Sequence, residues 1–187
     1  LGFNNREYMR FVLDREPTAE EIAKATVEKE ALYRTLSRGH LAVPPGLLAL
    51  LGAAERSGIA CGIATSAPKE NVDFVLDGLK IRHFFKEVVD AGHVKHGKPD
   101  PEIYRVSAQR LGVPPAQSIV FEDAIAGIQS GNAAGMRVIA ITTSYPAAVL
   151  AEHSPAAIIG SFTDLAQPGP AADVIARVTG RPLAISA

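Results

Sequence analysis

The chain has 187 residues, of which 47% are hydrophobic, and its 19 basic and 20 acidic residues give a net charge of −1. This is enough apolar material for one domain with a sizeable core, and no apolar run approaches the roughly 20 residues of a membrane-spanning helix. The near-neutral charge gives no reason to expect nucleic acid or a membrane surface as a partner, and the single cysteine, Cys61, excludes an intramolecular disulfide, so we expect a cytoplasmic protein.

The first 42 residues have a helical pattern throughout. Thr18 and Glu21 have the spacing of a capping box, which predicts the start of a long helix. The Val43–Gly46 segment has two prolines followed by a glycine, which ends the helical pattern and is interpreted as a hinge. We therefore predict a helical unit over residues 1–42 and a second domain over residues 43–187.

Beyond the hinge, helical segments alternate with short apolar runs. The predicted strands are Ile59–Ala64, Glu87–Asp90, Ser118–Phe121, Arg137–Ile141 and Ala156–Ile159. Helices are predicted over residues 47–56, 69–79, 101–111 and 124–134. This alternation is typical of an α/β domain, with a Rossmann-like parallel sheet that has helices on both faces.

Two adjacent carboxylates, Glu122 and Asp123, directly follow the third predicted strand. At the exit of a strand both side chains can turn toward one point above the edge of the sheet. Two carboxylates this close repel each other unless a cation lies between them, and an all-oxygen site suits Mg²⁺. The alternative is a pair of solvated loop acids, with Asp123 capping the next helix.

Thr65 and Ser66 follow the first predicted strand, near the amino end of the helix that is predicted to begin at Lys69. Hydroxyl groups and loop amides in this position are suited to holding phosphate oxygens. The alternative is that the two residues cap the helix before Pro68.

A lysine, Lys98, lies in the rigid turn Gly97–Pro101 that follows the second predicted strand. Its compact charge suits a phosphoryl oxygen or clustered carboxylates, although an exposed turn lysine is the simpler alternative. His93 and His96 lie nearby, but the segment has no cysteine or further histidine to complete a zinc site.

Hydroxyl groups, a lysine and paired acids thus follow three successive strands. Ligands of open parallel sheets bind beyond the carboxyl ends of the strands, where these clusters fall. The chemistry that uses all three groups on one small anion is phosphoryl transfer, in which positioning and charge neutralisation supply most of the catalysis.

Three motifs, ATSAPKEN, GKPDPEIY and FEDAIAGIQSGNAAGM, resemble the second, third and fourth motifs of the haloacid dehalogenase-like superfamily. The similar branch contains β-phosphoglucomutases and phosphoglycolate phosphatases. The resemblance implies Mg²⁺-dependent phosphoryl transfer on small phosphorylated metabolites. It further implies that Ser66, or Thr65 beside it, holds the phosphoryl group, that Lys98 bridges the phosphate and the nucleophile, and that Glu122 and Asp123 hold Mg²⁺.

The helical unit over residues 1–42 resembles the distal part of the family's helical cap, so we expect a partial cap. Lys29, four residues before Tyr33, matches a cap lysine that reaches the substrate in the mutases. Arg6 lies one position away from the cap arginine for the distal phosphate, with Asn5 in its place. The resemblance implies substrate-binding roles for Lys29 and for Arg6 or Asn5.

The family's first motif, an Asp-x-Asp that carries the nucleophile and the general acid/base, does not occur in the 187-residue sequence. We expect it upstream of Leu1 and expect this chain alone to be inactive. The alternative is a noncatalytic protein that binds phosphate or a partner.

In the family the first strand lies between those predicted at Ile59–Ala64 and Ser118–Phe121. We therefore expect these two strands to close against each other, or the space between them to be filled by another segment or chain. The sequence leaves the choice between phosphatase and mutase, and the oligomeric state, open.

Overall fold

The computed structural model describes residues 5–185, with side chains described for residues 9–185. The chain divides into two compact units, Leu1–Leu41 and Ala42–Ala187. Within the described part of the chain, every helix is too short or too polar to cross a membrane.

The first unit contains two helices, α1 (Asn5–Leu13) and α2 (Ala19–Ser37). The predicted capping box is confirmed: Glu21 N donates to Thr18 Oγ1 at 3.2 Å, and Thr18 N donates to Glu21 Oε2 at 2.8 Å. Hydrogen bonds from the Arg15 guanidinium lower the pKa of Glu21 to about 2, so this carboxylate stays charged near neutral pH. The start of α2 is therefore specified by local sequence alone.

The second unit alternates helices and strands, which confirms the predicted α/β class. Its strands are β1 (Cys61–Ala64), β2 (Phe85–Val89), β3 (Ile119–Glu122), β4 (Arg137–Ile141) and β5 (Ala157–Ile159). Its helices are α3 (Leu47–Arg56), α4 (Lys69–Gly78), α5 (Glu102–Leu111), α6 (Ile125–Ala133), α7 (Ala147–Ala151) and α8 (Pro170–Thr179). Four short 3₁₀ segments also lie between these elements, at Arg82–Phe84, Ala91–His93, Pro115–Gln117 and Phe162–Ala166.

All strand pairs in the described residues are parallel, but they form two sheets. One sheet has the order β1–β2 and the other has the order β3–β4–β5. Of the two expected arrangements, closure of β1 against β3 is therefore wrong, and a space filled by another segment or chain stays a prediction. Helix α5 packs against β1 and β2, whereas α6 packs against β3 and β4, so each sheet is supported by its own helix.

Strand β4 is the most buried strand, and it has packing on both faces. Val138 and Ala140 belong to one apolar cluster, while Ile139 and Ile141 belong to another on the opposite face. This pattern is typical of a parallel strand covered by helices on two sides. By contrast, every residue of β1 is only half-buried, which follows from its position at the edge of a two-stranded sheet.

Candidate active site

The carboxyl ends of β1 and β3 meet at one lysine. Lys98 Nζ donates a hydrogen bond to Ala64 O, at the end of β1, at 3.2 Å, and another to Glu122 Oε1, at the end of β3. Only 13% of the Lys98 side chain is exposed, so the alternative of a solvent-exposed turn lysine is wrong. The structure thus brings Lys98 and Glu122, from two of the three predicted polar clusters, into contact. The third cluster, Thr65 and Ser66, directly follows Ala64, which Lys98 also contacts.

The Glu122 carboxylate is enclosed rather than solvated. Its side chain is 10% exposed, and Oε1 accepts hydrogen bonds from both Lys98 Nζ and the Tyr104 hydroxyl. Helix α6 passes so close that a Cβ atom added at Gly127 would lie 2.1 Å from Glu122 Oε2. Only glycine fits at this point, because any larger side chain would occupy the space of the carboxylate.

Tyr104 is a member of the site that the sequence reasoning missed. It lies on the buried face of α5, and Lys98 Nζ lies 4.8 Å from the centre of its ring, within the range of a cation–π contact. Burial, followed by the negative charge of Glu122, raises the pKa of Tyr104 above its ordinary value, so its hydroxyl stays protonated and donates. A signal was present in GKPDPEIY, because a buried tyrosine hydroxyl needs a polar partner.

Asp123 has different surroundings from its neighbour Glu122. Its Oδ2 accepts hydrogen bonds from Thr143 Oγ1 at 2.9 Å and from Ser144 Oγ at 2.5 Å. It does not cap the next helix, since the N-cap of α6 is Ala124 without a side-chain hydrogen bond. The sequence reasoning also missed Thr143 and Ser144. They lie at the carboxyl end of β4, as Glu122 and Asp123 lie at the carboxyl end of β3.

The hydroxyl groups after β1 are distinguished by their hydrogen bonds. Thr65 Oγ1 accepts a hydrogen bond from Ala67 N at 3.1 Å, whereas the exposed Ser66 hydroxyl has no hydrogen bond to any residue whose side chain is described. Helix α4 has Pro68 as its N-cap, without a side-chain hydrogen bond, so the capping alternative for both residues is wrong. Ser66 is the more available of the two for a ligand.

The two histidines near Lys98 lie in contacts that organise the loop. His93 Nδ1 is 2.9 Å from Asp90 Oδ1. Glu102 Oε2 accepts hydrogen bonds from His96 N at 2.8 Å and from Lys95 N at 3.0 Å, and these loop amides lower the pKa of Glu102. Ligating atoms of His96, Asp100 and Glu102 lie within 4.8 Å of one another, but the two amides already engage one of the carboxylate oxygens.

The predicted substrate-binding residues belong to the first unit. Lys29 lies on α2, where its ammonium group is 2.8 Å from Glu30 Oε1 and its side chain is 58% exposed. Asn5 and Arg6 are in α1, but their side chains lie outside the described residues.

The acidic pair fits a divalent cation as part of a ligand set. Glu122 Oε2 and Asp123 Oδ1 accept no hydrogen bond from the described residues, so each carboxylate keeps one oxygen for a ligand. Such oxygens are ligands that Mg²⁺ prefers. Among the side chains of residues 9–185, no third carboxylate, imidazole or thiol completes a group with these two.

A cavity of about 380 Å³ lies beside the acidic pair. Its polar lining includes Glu122, Asp123, Thr143 and Ser161, and its apolar lining is Pro44, Pro45, Phe121, Ile141 and Phe162. This combination of an apolar wall and a few polar groups, at a size within the usual range of small-molecule sites, is typical of a ligand pocket.

Comparisons with known proteins agree with the motifs. The model of the haloacid dehalogenase-like hydrolase family matches residues 1–135. The fructose-1-phosphate phosphatase YqaB of Escherichia coli K12 is 46% identical over 77 residues, which are 41% of each chain. The crystal structure of a family IA, variant 3 hydrolase from Entamoeba histolytica superimposes with a TM-score of 0.85 at 28% identity, covering 96% of this chain and 80% of that one.

The crystal structure of β-phosphoglucomutase from Clostridium difficile superimposes with a TM-score of 0.78 at 25% identity, covering 96% of this chain and 78% of that one. The chain spans about half the length of the curated relatives that it matches. The family model covers most of the chain, and the three motifs contain Lys98, its partner Glu122, Tyr104 and Asp123. The chain therefore belongs to the haloacid dehalogenase-like hydrolases, in the branch that includes sugar phosphatases and β-phosphoglucomutases.

Proposed function

We propose that this protein takes part in Mg²⁺-dependent phosphoryl transfer from a small phosphorylated metabolite, acting as a phosphatase on a sugar phosphate or on phosphoglycolate. The observation that carries the proposal is the position of the Lys98 ammonium group, which joins the end of β1 to Glu122 at the end of β3, beside Asp123. A largely enclosed ammonium group beside two acids can neutralise a phosphoryl group from one side while the acids hold a metal on the other.

Each residue has a role that follows from its surroundings. Ser66, with its hydroxyl available, holds a phosphoryl oxygen, and Lys98 offsets the negative charge of the phosphoryl group. Glu122 and Asp123 hold Mg²⁺, which supplies further positive charge at the phosphoryl oxygens when bound. By resemblance, the nucleophile is an aspartate of the Asp-x-Asp motif. We therefore assign binding and charge neutralisation to these residues, and no covalent step.

The nature of the acceptor decides between two reactions. Transfer to water makes the protein a phosphatase, whereas transfer to a second hydroxyl of a bound sugar phosphate makes it a mutase. The likeness to a fructose-1-phosphate phosphatase supports the first, and the likeness to a β-phosphoglucomutase supports the second. The phosphatase is preferred because two relatives with that activity, the fructose-1-phosphate phosphatase and hexitol phosphatase A of Escherichia coli K12, match at 46% identity over 77 residues and at 39% over 123 residues.

A second candidate is a noncatalytic protein that binds phosphate or a partner. One observation favours it, namely that the 187-residue sequence contains no Asp-x-Asp pair. Such a protein would keep the phosphate site at Ser66 and Lys98 but release no phosphate from any substrate.

A phosphate-release screen tests the proposal. Fructose 1-phosphate, β-glucose 1-phosphate and phosphoglycolate are supplied with Mg²⁺ or with a chelator, to this chain and to the product of its complete reading frame. Formation of glucose 6-phosphate is measured in parallel to detect a mutase. Mg²⁺-dependent release by the complete product supports the proposal. Binding of phosphate that is lost in Lys98→Ala, without release from any substrate, would establish the noncatalytic candidate instead.

A further inference from the structure

We infer that Tyr104 is a positioning residue for the Lys98–Glu122 pair, because its hydroxyl restrains the rotation of the Glu122 carboxylate that the lysine contacts. The inference rests on the proposed function, since it concerns the two groups proposed to neutralise a phosphoryl group and to hold a metal.

Two hydrogen-bond donors meet at one oxygen. Lys98 Nζ and the Tyr104 hydroxyl both donate to Glu122 Oε1, while Oε2 accepts no hydrogen bond from the described residues. The two donors come from different elements, one from the loop that precedes α5 and one from the first turn of α5. The shared oxygen therefore sets the rotation of the carboxylate and leaves the other oxygen for a ligand.

The tyrosine is held more firmly than the lysine. The residue is only 4% exposed and belongs to the same apolar cluster as Ile103 and Ala108 of α5. Lys98 has a flexible four-carbon side chain on a turn, and its ammonium group also contacts the Tyr104 ring. Side chains on packed helices hold a site with better precision than side chains on loops. The rigid tyrosine thus orients both members of the pair, through its hydroxyl and through its ring.

Gly127 limits the alternatives open to the carboxylate. Because α6 lies against the Glu122 carboxylate, the side chain has little room to move away from Tyr104. Rotation about the last bond is the movement that we infer the hydroxyl restrains. Without the hydroxyl, Lys98 alone restrains this rotation, so the carboxylate turns away from the lysine for part of the time and its second oxygen is no longer held toward a ligand.

Tyr104→Phe separates the two contributions, because it keeps the ring beside Lys98 and removes only the donor. The first measurement is the rate at which an acylating reagent modifies Lys98, read by mass spectrometry with Lys69 of the same chain as the internal reference. This readout needs neither metal nor turnover. We expect Lys98 to react about three to ten times faster in the variant, the range for a partly compensated loss of a hydrogen bond to a charged group, with an unchanged melting temperature.

Tyr145→Phe is the matched control, because Tyr145 packs against the same cluster and its hydroxyl has no hydrogen bond to the described residues. In the Tyr145→Phe variant, Lys98 should be acylated at the same rate as in the unaltered protein. If Tyr104→Phe also leaves the Lys98 rate unaltered, the inference is overturned whatever the protein catalyses.

The second measurement uses the active product of the complete reading frame. We expect Tyr104→Phe to lower kcat by about tenfold and to leave KM within about twofold, because the hydroxyl touches the charged pair and not the substrate. An unchanged kcat would overturn the role in catalysis. Absence of turnover in the unaltered protein would overturn the proposed function and this kinetic role, while the labelling result would still decide whether Tyr104 orients the pair.

Discussion

Glu122 and Asp123 are neighbours in sequence but differ in what holds them. Glu122 is enclosed by Lys98, Tyr104 and α6, whereas Asp123 faces the hydroxyl groups of Thr143 and Ser144. The charge of Glu122 is already balanced by an ammonium group, while that of Asp123 has only neutral donors. Of the two, Asp123 depends more on an added cation.

The first prediction follows from this difference. Asp123→Ala should abolish Mg²⁺-dependent turnover of the complete protein without unfolding the domain, because it removes a metal ligand and leaves only two hydroxyl groups to be rehydrated. Turnover is measured over a range of Mg²⁺ concentrations, with Asp173→Ala, at an exposed position in the first turn of α8, as the control. Undiminished activity at limiting Mg²⁺ would rule out the metal assignment.

The second prediction concerns Lys98. Lys98→Ala should lower kcat/KM by about 100-fold, or about 3 kcal/mol of transition-state stabilisation. It should also lower the free energy of unfolding by about 1–3 kcal/mol, because the enclosed Glu122 loses its charged partner. Lys98→Arg should not restore the rate fully, since a planar guanidinium differs in shape from a point charge.

Lys69→Ala is the control for the lysine, because Lys69 pairs with Asp73 on the exposed surface of α4. Removing that pair should change neither rate nor stability measurably. If the Lys98 and Lys69 variants have the same kcat/KM and the same free energy of unfolding, Lys98 has no role in catalysis or stability beyond that of an exposed lysine.

At the scale of elements, periodicity predicted the alternation of helices and strands, and β4 was predicted with the bounds that the structure has. The predicted first strand began two residues early, at Ile59. The reason is local: Ile59 N donates to Ala54 O at 2.9 Å after Gly58 in the left-handed region, so these residues complete the carboxyl end of α3. An apolar residue that follows a helix-ending glycine can thus be mistaken for the start of a strand.

The contacts of the site could be predicted only in part. The strand-exit rule identified Ser66, Lys98, Glu122 and Asp123 because it depends on sequence order alone. The contact between Tyr104 and Glu122 depends on how α5 is rotated against the sheet, and sequence order does not specify that rotation. Thr143 and Ser144 could have been found by applying the same rule to β4.

The third prediction concerns the close approach of α6 to β3. Gly127→Ala should displace the Glu122 carboxylate, lower the free energy of unfolding by about 1–3 kcal/mol through overpacking, and reduce activity. Gly52→Ala is the matched control, because an added Cβ there meets only the end of the Arg56 side chain, at 3.2 Å. It should be neutral or stabilise α3 by about 0.5–1 kcal/mol. Denaturant unfolding measures both, and a neutral Gly127→Ala would contradict the packing described.

For the whole molecule, the two sheets leave β1 and β3 without each other as partners in the described residues. In the family, the strand that carries the Asp-x-Asp motif lies between the corresponding strands. Periodicity could not have predicted two sheets, because it identifies strands and not their pairing across the chain. The separation accords with the absence of that motif from the sequence.

The fourth prediction is that residues 1–187 alone do not complete phosphoryl transfer, because the sequence contains no Asp-x-Asp pair. A single-turnover measurement with radiolabelled substrate phosphate, on the chain verified by intact mass, should detect no labelled protein and no free phosphate above background. Labelling of the 187-residue chain would show that its nucleophile lies within the described sequence.

Lys98 hydrogen-bonds the last residue of β1 and the last residue of β3, and therefore connects two sheets between which no strand pairing is described. This has a consequence for the cooperativity of unfolding. The two sheets also share one apolar cluster, which includes Val89 of β2 and Val138 of β4, so the Lys98 contacts add a polar connection at the strand ends to a common core. Hydrogen exchange detects a region that opens separately from the rest. In Lys98→Ala the amides of β1 and β2 should exchange faster while those of β4 keep their protection. The residue proposed to neutralise a phosphoryl group would thus also contribute to the coupling of the two sheets during unfolding.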